Sequence, residues 1–209
     1  PADPGLLGPV ALLEIKKLGC ATLKTKAGSD MHEDLEMVRG IRDAVGMKLK
    51  LRIDPNRAYS PEQALELCKH LEQYELENLE QPIPAEPLAD AKWLGEQTSV
   101  PIALNESVVG PESAWEILRQ GASNLLLPDT HIAGGILPCV KIGPLVESAG
   151  ATCIMHCGHD LGPKTAAMIP MGQPTRTPIK TRLQQIDGGP PCHLTAATLS
   201  TSPPWPGSA

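Results

Sequence analysis

Carboxylates and amides recur in this chain at the ends of short apolar stretches. Leu51-Arg52-Ile53-Asp54-Pro55-Asn56 runs an apolar segment into a carboxylate, a proline and an amide. Leu79-Glu80-Gln81-Pro82 repeats the pattern, and Ala103-Leu104-Asn105-Glu106-Ser107 repeats it again. Asp54 and Glu80 are 26 residues apart, and so are Glu80 and Glu106. An apolar, β-prone run stopped by turn residues reads as a strand. One strand, one helix and two loops need about that repeat length. The pattern places three acidic groups side by side on one rim of a parallel sheet. Clustered carboxylates repel and contribute nothing to folding, so a hard divalent cation is the chemistry they suggest. Asp54 and Asn56 singly would pass for turn formers or helix caps, and Glu80 for a solvated loop residue. The recurrence is what argues for ligation.

Other reactive side chains fall on the same pattern. Lys24 and Lys26 are two residues apart, which puts both on one side of an extended strand. Alone, such a pair is often just an exposed face. Asp129 follows Pro128 at another strand end, and His156 follows the segment Ala151–Met155. Asn56 and His131 are candidate substrate contacts, His131 reading as a strand-end or loop histidine rather than a catalyst. His156-Cys157-Gly158-His159 resembles half of a zinc cluster, but no second Cys/His pair at ligand spacing accompanies it. His159 and Lys164 read as substrate contacts or surface, and Cys153 and Cys157 as core thiols.

The elements that position these groups follow from hydrophobic spacing. Residues 1–13 are a Pro/Gly-rich lead-in, with helical spacing over 11–18 and a strand at Cys20–Lys24 leading into Thr25-Lys26. Asp30 can cap a helix whose inner stripe is Leu35, Val38, Ile41 and Val45. Ser60-Pro61-Glu62-Gln63 carries a capping box with proline at the first helical position. Further helices are expected over roughly 86–97, after Gly110-Pro111 up to Gly121, and from Gly134-Gly135 to about Ser148. Strands are expected at 77–79, 100–104, 124–127 and 151–155, and a last helix near Gly162-Pro163. About six βα units without a hairpin signal mean a parallel sheet. A doubly wound open sheet is the plain alternative. Polar residues at every strand end, rather than at one switch point, favour a partial (β/α) TIM-type barrel over residues 14–168. Residues 169–209, rich in Pro, Thr and Ser, read as a disordered tail.

Composition narrows the function classes. The 209 residues suffice for one sizeable core, with 41% hydrophobic and 20% charged residues. A net charge of −6 argues against a nucleic-acid binder. No apolar run of membrane-spanning length occurs, so no membrane partner is expected. Six cysteines without a disulfide rhythm and a start without a basic leader point to a cytoplasmic protein. The absence of an initiator Met suggests a fragment or a processed chain. Phe is absent, so Leu, Ile, Val, Ala and Met must build the core.

Taken together, Lys24-Thr25-Lys26, Asp54-Pro55-Asn56, Glu80-Gln81-Pro82, Asn105-Glu106-Ser107 with Gly110-Pro111-Glu112, Pro128-Asp129 with Gly134-Gly135, and His156 resemble the enolase superfamily. Within it they are similar to the mandelate racemase-like branch, which includes acid-sugar dehydratases. The resemblance covers about residues 14–168. It implies that Asp54, Glu80 and Glu106 bind Mg²⁺, with Asn105 as the alternative third ligand. It also implies that Lys26, beside Lys24, is one general base and that His156, oriented by Asp129, acts from the opposite face. The resemblance also implies a capping domain before the barrel and a final strand after it, and neither is expected within this sequence.

The implied reaction is abstraction of the proton next to a carboxylate. That proton is very weakly acidic, so the site must stabilise a developing dianion, which a divalent cation and ammonium groups do electrostatically. An ammonium group serves as a base only if its pKa falls from about 10.4 towards 7–8, and neighbouring cations push it that way. Dehydration of an acid sugar is the leading expectation, with a lyase as the enzyme class. Racemisation or epimerisation of a 2-hydroxy acid by the same two bases is the alternative, and a non-catalytic truncated remnant is another. A full-length chain is expected to be a homo-oligomer with a small carboxylate as its partner.

Overall fold

A computed structural model describes residues 22–156. Six strands alternate with five helices: β1 Thr22–Lys26, α1 Met31–Val45, β2 Lys50–Asp54, α2 Pro61–Leu71, β3 Asn78–Glu80, α3 Leu88–Gln97, β4 Ile102–Ala103, α4 Pro111–Gln120, β5 Leu125–Leu126, α5 Ile136–Ser148 and β6 Thr152–Cys153. The expected lead-in, the helix at 11–18, the helix near Gly162-Pro163 and the tail lie outside the described residues. Among the described residues, no helix is long and apolar enough to cross a membrane.

Local chemistry explains most element ends. The Asp30 carboxylate accepts from His32 N at 2.8 Å and Glu33 N at 3.2 Å, which starts α1. Ser60 and Gln63 form the expected capping box on α2. Gly121, at φ 68°, closes α4 in the left-handed conformation. Two expectations shift. The first strand runs on to Lys26 instead of ending at Lys24, so both lysines are strand residues, and the expected start at Cys20 lies outside the described residues. The buried face of α1 is Asp34, Met37, Val38, Ile41 and Arg42, whereas Leu35 and Val45 are only partly buried. The stripe is rotated because its two charged members have partners inside. Arg42 donates to Tyr74 O, Gly46 O, Leu49 O and Glu75 O. Asp34 accepts from Gly28 N at 2.7 Å and from the Tyr59 hydroxyl.

All strand pairings are parallel, in the order β1-β2-β3-β4 and β5-β6. A bridge between Leu104 and Leu126 joins the two groups into one row. The expected strands at 100–104, 124–127 and 151–155 shrink to two residues each, yet strand-like bonding runs past them, with Ile154 N donating to Leu126 O at 2.9 Å and His156 N to Pro128 O at 2.9 Å.

One face of the sheet packs against the helices. Leu51, Ile53, Leu79, Leu104 and Leu126 meet Val38, Ile41, Leu67, Leu94, Ile117 and Ile142 there. Each such side chain stabilises by roughly 1.5–3 kcal/mol when buried, so this layer dominates the fold's stability. The opposite face carries Lys24, Lys26, Arg52, Asp54, Asn78 and Glu80 on β1 to β3 by alternation. On the remaining strands it carries a small apolar cluster of Ala103, Leu125, Leu127 and Ile154. That inner face is closed by curvature. His156 Nε2 lies 3.4 Å from Glu80 Oε1, although the histidine follows β6, three strands from β3. In a flat sheet, three steps of about 4.8 Å would separate those strands by about 14 Å, with side chains standing perpendicular. The sheet therefore curls as part of a (β/α) barrel.

The loops at the strand ends are locked to one another. Gly28 has φ +97°, and a Cβ there would lie 2.5 Å from Pro55 O and 2.7 Å from Ala58 Cβ. The loop after β1 is thus packed on the loop after β2, and Asp34 clamps both through Gly28 and Tyr59. We expect Gly28→Ala to lower the unfolding free energy by about 2 kcal/mol or more, from left-handed strain and a backbone clash. Urea unfolding monitored by circular dichroism checks it; an unchanged midpoint would show that the loops yield freely.

Candidate active site

Lys24 stands at the centre of the inner face. Its Nζ lies 2.9 Å from Asp54 Oδ2 and 2.6 Å from Glu80 Oε2, and donates to Glu80 Oε1 at 2.7 Å. Lys26 Nζ donates to the same Asp54 Oδ2 at 2.8 Å and to Asn56 Oδ1 at 2.6 Å. Asp54 and Glu80 are both wholly buried. Alternation along β1 aims both ammonium groups inward, and the register sets Lys26 opposite Asp54. On the far flank, His156 Nε2 approaches Glu80 Oε1 while its Nδ1 lies 2.7 Å from Asp129 Oδ2.

The two central carboxylates titrate apart. Burial works against the charge on Asp54, but Lys24 and Lys26 prevail and hold it below its ordinary value. Burial raises Glu80, aided by the charge of Asp54 and only partly opposed by Lys24 and His156. Asp129 is also held below its ordinary range: burial opposes this, and the hydrogen bond from His156 and the backbone N–H of His131 outweigh it.

The strand-end candidates separate into those that meet and those that do not. Among the described residues, Asp54, Glu80 and His156 bring ligand atoms within 4.8 Å of one another. Glu106 stands outside that group. Its Oε1 accepts from Asn56 Nδ2 at 3.0 Å and lies 3.5 Å from Arg57 Nε. Asn105 turns its amide N–H to Leu127 O at 2.6 Å. Asn56 therefore bridges Lys26 and Glu106. His131 is more than half exposed and pairs with Asp129 Oδ1 at 3.1 Å. His159 and Lys164 lie outside the described residues. Sequence reasoning missed Arg57 and Gln81. Gln81 is fully buried and accepts from Asn105 N, Ser107 N and Ser107 Oγ through one oxygen. Its place beside Glu80 was the only available hint.

Glu106 Oε2 is buried and accepts no hydrogen bond, whereas the buried Glu80 Oε2 is paired with the Lys24 ammonium at 2.6 Å. Leaving the Glu106 oxygen unsatisfied costs a few kcal/mol, which cation binding would offset. Oxygen donors of this hardness suit Mg²⁺, whereas imidazole prefers softer metals. The buried acidic cluster fits a magnesium site.

The sequence profile of the enolase C-terminal domain-like family matches residues 10–201. The chain belongs to that family. Within the enolase superfamily it falls in the mandelate racemase-like branch. It is 32% identical over 155 residues to a hydrophobic dipeptide epimerase of Enterococcus faecalis, covering 74% of this chain and 44% of the relative. It is 34% identical over 142 residues to the L-Ala-D/L-Glu epimerase of Bacillus subtilis, covering 66% and 39%. It is 34% identical over 141 residues to an arabinonate dehydratase of Saccharolobus solfataricus, covering 67% and 38%. The chain thus spans less than half the length of these relatives. The crystal structure of the dipeptide epimerase from Enterococcus faecalis V583 complexed with Mg and the dipeptide L-Leu-L-Tyr superposes with a TM-score of 0.76 at 30% identity, covering 83% of this chain and 50% of that one.

The Asp129–His156 pair gives this enolase-superfamily site an acid-sensitive joint. A carboxyl whose folded pKa lies below its unfolded value of about 3.8 contributes stability that is present above pH 4 and lost as pH falls. The stability difference between the wild type and Asp129→Asn is expected to shrink steadily below about pH 4. Unfolding curves of both proteins from pH 6 to pH 2.5 measure it; a constant difference would contradict the assigned pairing.

Proposed function

We propose that this site carries out Mg²⁺-dependent inversion at the carbon next to a carboxylate, as an epimerase or racemase. The observation that carries the reading is the placement of two bases on opposite flanks of one buried acid pair. Lys26 Nζ contacts Asp54 from β1, and His156 Nε2 contacts Glu80 from the end of β6. Similarity to two epimerases supports inversion over dehydration. Those relatives act on dipeptides by name, so an N-acylated amino acid such as a dipeptide is the substrate class we favour over a 2-hydroxy acid.

Asp54 and Glu80 would hold the cation, with Glu106 as the third carboxylate and Asn105 as the alternative. The chemistry bound Mg²⁺ supplies is electrostatic: positive charge facing the substrate carboxylate as negative charge builds there. Lys26 takes the proton from one face of the carbon and His156 returns one to the other, or the reverse. Asp129 at Nδ1 fixes the imidazole tautomer and leaves Nε2 free for the transfer. Lys24, pinned between Asp54 and Glu80, keeps a fixed positive charge beside the developing anion. Asn56 orients the Lys26 ammonium through its Oδ1, and His131 at the exposed rim is a candidate substrate contact.

Acid-sugar dehydration is the second reading, favoured by similarity to the arabinonate dehydratase. It uses the same proton abstraction, with subsequent proton delivery from His156 to a departing β-hydroxyl.

Proton exchange in D₂O, monitored by NMR on dipeptides and on acid sugars, tests both. With Lys26→Ala or His156→Asn, inversion is expected to fall by about 10²–10⁴-fold or more. Each variant should still exchange the proton on the face served by the remaining base. Inversion that survives both substitutions would refute the two-base site. Mg²⁺ at a hundredfold excess over its Kd should add about 2.7 kcal/mol to unfolding, and Asp54→Asn should abolish that gain. No gain in the wild type would favour a non-catalytic remnant.

A further inference from the structure

We propose that Gln81 is a positioning residue whose side-chain oxygen sets the reach of Glu106 toward the cation. The inference rests on the proposed role of Glu106 as the third carboxylate around the metal. Gln81 joins three strand ends. Its backbone N donates to Ala103 O at 2.8 Å, and its backbone O accepts from Arg57 N at 2.7 Å. Its Oε1 accepts from Asn105 N at 3.0 Å, Ser107 N at 3.1 Å and Ser107 Oγ at 3.2 Å. Its Nε2 donates to Ile83 O at 3.2 Å, which fixes the amide's orientation. The two backbone donors flank residue 106, so a single oxygen clamps the turn that carries the Glu106 carboxylate.

Three further observations point the same way. Gln81 has φ +37°, a left-handed conformation that a non-glycine residue adopts only under constraint. It is wholly buried, so the strain is not relieved by solvent. Glu106 Oε2, at the end of the clamped turn, is buried and accepts no hydrogen bond. The clamped turn thus presents Oε2 with free lone pairs, while Glu106 Oε1 accepts from Asn56 Nδ2, whose amide oxygen in turn accepts from Lys26 Nζ. An amide does this where a carboxylate would not do it as well. It accepts hydrogen bonds without adding a negative charge next to the wholly buried Glu80.

Mn²⁺ alone, titrated into the purified chain and detected by electron paramagnetic resonance, reads the effect independently of any turnover. Gln81→Leu is expected to weaken Mn²⁺ binding about tenfold or more, the usual scale for losing a residue that orients a ligand. Glu106→Gln is expected to weaken it comparably. The double variant should be no weaker than Glu106→Gln, because Gln81 acts through Glu106. Additive losses, unchanged affinity in Gln81→Leu, or unchanged affinity in Glu106→Gln would each overturn the proposal. Should Gln81→Leu fail to fold, Ser107→Ala removes one of the three hydrogen bonds and takes its place in the same cycle, with a smaller loss expected and additivity again overturning it. Proton exchange by the wild type, measured alongside, keeps the two proposals apart: a chain that binds Mn²⁺ through this clamp but exchanges no α-proton refutes the proposed reaction and leaves the role of Gln81 standing.

Discussion

Two wholly buried carboxylates on neighbouring strand tips impose the constraint that the rest of this site answers. If Asp54 and Glu80 were both ionised with oxygens within 4.8 Å of each other, their repulsion would cost at least about 3.5 kcal/mol at an effective dielectric of 20. Desolvation adds to that cost. The inner face meets it in two ways. Lys24 spans the pair, and Lys26 reinforces Asp54. The pair also divides its roles, with Asp54 held toward the charged form and Glu80 pushed toward the neutral one. Groups whose environments drive them apart in this way are characteristic of sites that handle protons and cations.

The barrel's inner face is asymmetric, and the asymmetry has a physical consequence. β1 to β3 line it with charge, while β4 to β6 line it with Ala103, Leu125, Leu127 and Ile154. A low-dielectric wall opposite a charged one strengthens every interaction inside. It also leaves the charged groups to satisfy one another, which they do through a continuous chain from Glu80 through Lys24, Asp54, Lys26 and Asn56 to Glu106. The loops bearing this chain are held by groups outside it. Asp34 ties Gly28 to Tyr59 on one side, and Gln81 ties Arg57 to Asn105 and Ser107 on the other.

The proposed reaction is proton transfer next to a carboxylate, and the site's residues bear on that step more than on the fate of the resulting anion. Inversion and dehydration share the same base, the same cation and the same anion to stabilise. They differ in whether the neighbouring carbon carries a leaving group, and that belongs to the substrate. Similarity to dipeptide epimerases therefore shifts the balance from the acid-sugar chemistry that the strand-end motifs first suggested. In the proposed reaction the imidazole of His156 serves proton transfer, in keeping with the oxygen preference of Mg²⁺ and with Asp129 already pairing with the ring.

The sequence by itself determined which residues stand at the strand ends. The 26-residue recurrence and side-chain alternation are local properties, so Lys24, Lys26, Asp54 and Glu80 could be placed on one rim before any contact was known. Capping chemistry at Asp30 and Ser60 was legible for the same reason. Local pattern also misled where a polar residue has an interior partner: the buried face of α1 includes Asp34 and Arg42 because Tyr59, Gly28 and distant carbonyls receive them. Only the tertiary structure decided which strand-end groups meet. Curvature carries His156 across to Glu80, while Glu106 pairs with Asn56 and stands outside that group. Both depend on the closure of the sheet and on backbone angles at single residues, and neither leaves a period in the sequence.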